Sequence, residues 1–156
     1  KCKKRIPMQK ILNCIKINEL IVTSGQPKVE EFEIIAKDGF EVVINLSMYK
    51  TSNSIENEDK IVTDLNMSYF HIPVNFENPT LSDLKLFLNI LQALGANKVW
   101  IHCSKNYRVS AFMYVYHKYI LKTSFEQIDL SIFEIWNPSA KWQEIMKVSL
   151  EDLYKA

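Results

Sequence analysis

A β-branched and aromatic run, Val99-Trp100-Ile101, stops at His102-Cys103 and passes through Ser104-Lys105-Asn106-Tyr107. It resumes at Arg108 as a nearly unbroken apolar stretch from Val109 to Leu121, interrupted only by Ser110, His117 and Lys118. A run of that length exceeds a typical buried strand and fits a helix buried on most sides. The unit therefore reads as strand, loop and helix. The loop lies where a strand ends and a helix begins, the place at which open α/β sheets bind ligands.

The chemistry of that loop follows from its residue types. A helix N-terminus has unpaired N–H groups and partial positive charge, so it favours phosphate or sulfate. The same field favours a thiolate, and only the thiolate of a cysteine is a strong nucleophile. Arg108 adds a permanent charge and a planar fork that can hold two phosphate oxygens at once. Singly, Cys103 reads as a small buried hydrophobe and Arg108 as a solvated surface group. Together, on one strand–loop–helix unit, they read as a nucleophile and an anion cradle.

Elsewhere strand and helix signals alternate, which argues for an α/β domain. Leu20 to Thr23, Phe40 to Leu46 and Met67 to Val74 read as strands. Val29, Phe32, Ile35 and Ala36 form a helical stripe after Pro27, closed at Gly39. Residues 48 to 58 read as a polar loop before a short helix marked by Ile61, Val62 and Leu65. Thr80 and Asp83 open a helix striped by Leu84, Phe87, Leu88, Leu91 and Leu94. Thr123 and Glu126 have capping-box spacing for a helix carrying Phe125, Ile128 and Ile132. Asn137-Pro138 is expected to start one last helix with Trp142, Ile145, Met146 and Leu153 on its face.

The loop IHCSKNYRVS resembles the signature of protein tyrosine and dual-specificity phosphatases, in which His-Cys precedes a phosphate-binding loop that ends in arginine. It is similar above all to a bacterial phosphatase-like branch of that superfamily, whose members open with a Ser-Gly-Gln-Pro segment. Here that segment is Ser24-Gly25-Gln26-Pro27, followed by Gly39-Phe40-Glu41-Val42-Val43-Ile44-Asn45-Leu46, His71-Ile72-Pro73-Val74 and Asn78-Pro79. The resemblance extends from about Ile17 to Trp142. It implies a dual-specificity-phosphatase-like α/β fold, with a central, mostly parallel sheet flanked by helices. It also implies a phosphomonoester hydrolase that works through a cysteinyl-phosphate on Cys103. Ser104, Lys105, Asn106, Tyr107 and Arg108 would bind phosphate, and His102 would brace the loop.

Two departures bear on the activity. The usual phosphatase loop has five residues between cysteine and arginine, and here there are four, Ser104 to Tyr107. Four is also the spacing of rhodanese sulfurtransferases, in which the cysteine carries a persulfide. Val109 stands where a hydroxyl residue is usual, leaving Ser110 and Ser104 as candidates to reach the thiolate. Asn106 is the residue best suited to a left-handed bend in a loop without glycine. The expected position of the general acid holds Asn75, whose amide cannot protonate a leaving alkoxide. Glu77 is the nearest carboxylic acid and is the candidate for that role.

The bulk numbers fit one domain. The chain has 156 residues, 47% of them apolar, with 19 Lys and Arg against 18 Asp and Glu. Near-zero net charge supplies no field toward nucleic acid or membrane. Residues 1–10 are expected to be a flexible leader, with Met8 a candidate natural start, and 11–156 the single phosphatase-like domain. Three cysteines without framework spacing suit a reducing, cytoplasmic setting. Scattered histidines suggest no metal, and no cofactor is expected. The expected partner is a phosphorylated protein or a small phosphomonoester. A sulfurtransferase and a non-catalytic phosphate-binding module stay open as alternatives. Substrate and oligomeric state are not legible.

Overall fold

A computed structural model of the chain describes residues 8–155. Of the expected leader, residues 1–7 lie outside this range, and Met8–Lys10 form a single 3-10 turn. Five strands make one sheet in the order β1-β2-β5-β3-β4. They are β1 (Ile15–Lys16), β2 (Ile21–Ser24), β3 (Val42–Asn45), β4 (Ser68–His71) and β5 (Val99–His102). Only β1 runs antiparallel to its neighbour, so the sheet is mostly parallel. The helices are α1 (Val29–Lys37), α2 (Glu58–Asp64), α3 (Leu81–Ala93), α4 (Tyr107–Tyr116), α5 (Ile132–Ile135), α6 (Ala140–Met146) and α7 (Leu150–Lys155).

The sheet separates two cores because strand side chains alternate between faces. Ile44, Val99 and Ile101 pack with Leu84, Phe87, Phe112 and Trp142 from α3, α4 and α6. Val22, Val43 and Trp100 pack with Phe32 and Ile35 of α1 and Val62 of α2. Because both faces are covered, β2, β3 and β5 are buried along their whole length, as parallel strands are. Gly39 closes α1 at φ 90°, a left-handed position that glycine occupies without a Cβ penalty.

The sequence reading fails at two places toward the C-terminus. The Thr123–Glu126 capping box opens no helix; only a 3-10 turn, Phe125–Gln127, forms there. The buried His117 ring takes the Thr123 hydroxyl at 2.8 Å, so that hydroxyl is spent on the preceding element. The expected single last helix is two. Ser139, rather than Asn137-Pro138, caps α6 by accepting from the Trp142 N–H at 3.4 Å. A break at Lys147–Ser149 then separates α6 from α7. The apolar stretch after Arg108 forms α4 and continues as a wider π-type turn over His117–Leu121. No helix among the described residues is long and apolar enough to cross a membrane.

Phe112 sits fully buried between Phe87 and Trp142, with ring centroids 5.6 and 5.7 Å away. Phe112→Ala is expected to cost about 3–5 kcal/mol, read as a lower urea midpoint with an unchanged denaturant slope.

Candidate active site

β5 lies at the centre of the sheet, flanked on both sides by parallel strands in register, with Ser24 and Asn45 opposite His102. The turns after β2, β3, β4 and β5 therefore meet at one edge of the sheet. Cys103 leaves β5 there with its N–H on the Ser24 carbonyl at 3.4 Å. Asn106 makes the bend at φ 67° and α4 begins at Tyr107. The four-residue spacing closes because an asparagine accepts this left-handed conformation. The Asn106 amide is anchored on the Asn13 carbonyl at 2.8 Å and the Thr23 hydroxyl at 3.0 Å.

Three successive loop carbonyls point away from the cavity. His102 Nδ1 lies 3.3 Å from the Cys103 oxygen. The Gln26 N–H at 3.1 Å and the Asn53 side-chain amide at 2.8 Å both donate to the Ser104 oxygen. The Asn13 side-chain amide donates to the Lys105 oxygen at 3.0 Å. Within a planar trans peptide the N–H opposes the C=O, so the N–H groups of Ser104 and Lys105 turn inward. The first-turn N–H groups of α4 add to them, since they have no intrahelical acceptor.

Those donors face a cavity of about 200 Å³ lined by Phe76, Cys103, Ser104, Lys105, Tyr107 and Arg108. Cys103 and Arg108 are both buried. The Arg108 guanidinium donates to the Val74 carbonyl at 3.0 Å and the Ser104 hydroxyl at 3.1 Å, and lies 5.7 Å from the centre of the Phe76 ring. Tyr107 forms one wall and stacks on Trp136 with centroids 5.1 Å apart and planes 2° from parallel. Ser110 donates to the Asn106 side-chain carbonyl at 3.2 Å, which secures the bend.

The acid-loop residues are less closely gathered. Asn75 spends its side-chain oxygen on the N–H groups of Glu77 at 2.9 Å and Asn78 at 3.2 Å, an Asx turn. Glu77 is exposed, and its carboxylate has no hydrogen bond or ion pair among the described residues. It is not part of the cavity lining. The turn is held against the site by Arg108 on the Val74 carbonyl at 3.0 Å and by the Trp142 ring N–H on the Phe76 carbonyl at 2.8 Å. Among the described residues no cluster of three or more His, Cys, Asp or Glu could hold a metal ion.

Beneath the loop lies a pair that the sequence reading missed. The fully buried His102 ring meets the Glu58 carboxylate at 2.8 Å, and Gln26 donates to the other carboxylate oxygen at 2.6 Å. Burial pushes the Glu58 carboxyl upward, but the His102 charge and hydrogen bonds from His102, Gln26 and Tyr69 outweigh it and hold it below the usual value. Burial, with the Glu58 charge, raises the Tyr69 hydroxyl. Residues 48 to 58 read as a polar loop, so nothing local marked Glu58. The one visible signal was the Ser24-Gly25-Gln26-Pro27 segment, whose glutamine reaches it.

Residues 13–147 match the family described as "DSP-PTPase phosphatase fused to NAD+ Kinase". The chain belongs to that family. A DUF442 phosphatase-type protein of Shewanella putrefaciens shares its fold with TM-score 0.83 and 26% identity, over 95% of both chains. The catalytic core of the S. cerevisiae PP-IP phosphatase SIW14 superposes with TM-score 0.73 at 15% identity, over 93% of this chain and 90% of that one. P. aeruginosa TpbA, solved with phosphotyrosine, does so with TM-score 0.67 at 12% identity, over 90% and 86%. At those two identities the likeness speaks for the fold alone. No curated protein matches in sequence.

Two outcomes follow. A Cβ on Gly25 would lie 2.8 Å from the Ser104 carbonyl and 2.9 Å from Leu12. Gly25→Ala is thus expected to displace the loop, weaken vanadate binding, and cost about 1–3 kcal/mol of stability. Because the Glu58 carboxyl is held low in the folded state, its contribution to stability is present above the ordinary carboxylate value. That contribution is lost as pH falls through the folded one. Acid unfolding of Glu58→Gln, followed by circular dichroism, should be correspondingly less steep.

Proposed function

We propose that the chain is a cysteine-dependent phosphomonoester hydrolase. The observation that carries this reading is the convergence on one cavity of a thiol, inward-turned amides and a buried guanidinium. Cys103 Sγ attacks phosphorus and the bond to the leaving oxygen breaks. Glu77, next in the chain to the lining residue Phe76, gives that oxygen its proton. Water then attacks the cysteinyl-phosphate, Glu77 takes a proton back, and inorganic phosphate leaves with the thiolate restored. Arg108 and the loop amides hold the equatorial oxygens throughout. Phosphoryl transfer asks little of a protein beyond positioning and charge stabilisation, which such a loop can supply.

His102 braces the loop through the Cys103 carbonyl, and Ser104 keeps the arginine aligned. Lys105 and Tyr107 form the cavity wall toward the substrate, and Asn106 and Ser110 keep the bend. Asn75 shapes the turn that carries Glu77. A cytoplasmic, reducing setting keeps the thiol free. The relatives support a phosphorylated ligand, since SIW14 is described as a PP-IP phosphatase and TpbA is solved with phosphotyrosine. A second reading has an observation of its own. With Asn75 in the acid position and Glu77 outside the cavity lining, the domain would bind phosphate esters with little turnover.

Hydrolysis of an aryl phosphate, scanned by pH with vanadate as competitor, separates the two. Wild type is expected to turn over with vanadate inhibition and a falling alkaline limb, and Cys103→Ser to be inactive. Glu77→Gln should lower kcat by about 10²–10⁴-fold and flatten that limb. Vanadate binding without turnover would favour the phosphate-reading module. Sulfur transfer from thiosulfate in place of phosphate release would favour a Cys103 persulfide.

A further inference from the structure

The reaction above gives Glu58 no part, yet it is the carboxylate that the fold buries among the described residues. It opens α2 after Asn57, a residue in the left-handed region at φ 54°. Its oxygens are divided between His102 Nε2 at 2.8 Å and the Gln26 side-chain amide at 2.6 Å. The other His102 nitrogen, Nδ1, faces the Cys103 carbonyl at 3.3 Å. The ring therefore lies between two acceptors and ties the buried carboxylate to the backbone of the cysteine.

The surroundings leave the pair isolated. Gln26 comes from the turn after β2, Tyr69 from β4, and Phe32 from α1 stands edge-on to His102 at 6.1 Å. Asp59, next on α2, acts on Tyr69. The Arg108 guanidinium is turned to Val74 and Ser104 instead. The Ser-Gly-Gln-Pro segment thereby gains a physical role. Gly25 lets the turn approach the loop, the Gln26 backbone holds the Ser104 carbonyl, and the Gln26 side chain holds Glu58.

We propose that Glu58 is a positioning residue for Cys103. Through His102 it holds the Cys103 carbonyl out of the loop, which keeps the thiol set against the inward N–H groups of Ser104 and Lys105 and so keeps it reactive. This rests on the reading of Cys103 as the nucleophile, but it can be measured without a substrate.

Alkylation of Cys103 by iodoacetamide across pH, read by mass spectrometry on the peptide carrying it, reports the thiolate and separates it from Cys2 and Cys14. In Glu58→Gln the pH of half-maximal alkylation should rise by about one unit, an approximately tenfold slower reaction on the acid side. His102→Gln should shift it the same way. The double variant should move no further than the larger single shift, because the two residues act as a unit. If circular dichroism shows that Glu58→Gln does not fold, Gln26→Met removes one hydrogen bond from the carboxylate and should raise the same midpoint. An unmoved midpoint in either folded variant, or shifts that add in the double variant, would overturn the proposal. A wild type without phosphatase turnover but with these shifts intact would count against the hydrolase reading alone.

Discussion

Loop carbonyls carry partial negative charge, and a pocket lined by a guanidinium and helix-start amides is suited to an anion only if those carbonyls point outward. The structure meets this constraint by giving the Cys103, Ser104 and Lys105 oxygens partners outside the cavity, from His102, Gln26, Asn53 and Asn13. The outward Cys103 and Ser104 carbonyls turn the N–H groups of Ser104 and Lys105 inward. The cradle is therefore built from behind, by residues that never touch the cavity. Central placement of β5 makes this feasible, because the turns after its two neighbours reach the loop from both sides. Buried amides satisfied in this way resist displacement, since a lost partner leaves an unpaired polar group at a cost of about 1–3 kcal/mol.

Arg108 joins this frame to the turn that carries Glu77. Its bond to the Val74 carbonyl and its position over Phe76 hold the start of that turn against the cavity. Trp142 holds the Phe76 carbonyl from the core side. Thus α6, which sequence reading treated as part of a longer helix, helps to set the turn, and Ser139 caps it only a few residues after Trp136. Tyr107 and Trp136, stacked face to face, close the same wall. The aromatic wall is thus packed from the core side, and Glu77 stands exposed on the turn beside it.

What could be read from sequence was what is local. The Val99–His102 strand, the thiol, the Asn106 bend and the helix after Arg108 follow from neighbours within a few residues. The Thr80 cap on Asp83 was equally local and is present at 3.1 Å. The Thr123 box had the same local signal and produced no helix, because His117 claims the hydroxyl. The frame behind the loop was illegible for the opposite reason. Glu58 is 44 residues from His102, Asn53 is 51 from Ser104, and Asn13 is 92 from Lys105. No periodicity or cap marks such pairs; only the fold brings them together.

The most direct test of the account is whether phosphorus becomes bonded to Cys103. Wild type mixed with an aryl phosphate should be quenched in acid within one turnover, digested and mapped by mass spectrometry. A phosphoryl group on the Cys103 peptide, absent when Cys103 is replaced by serine or vanadate is added first, is the result expected. Release of phosphate while that peptide stays unmodified, or with the phosphoryl group on another residue, would contradict it.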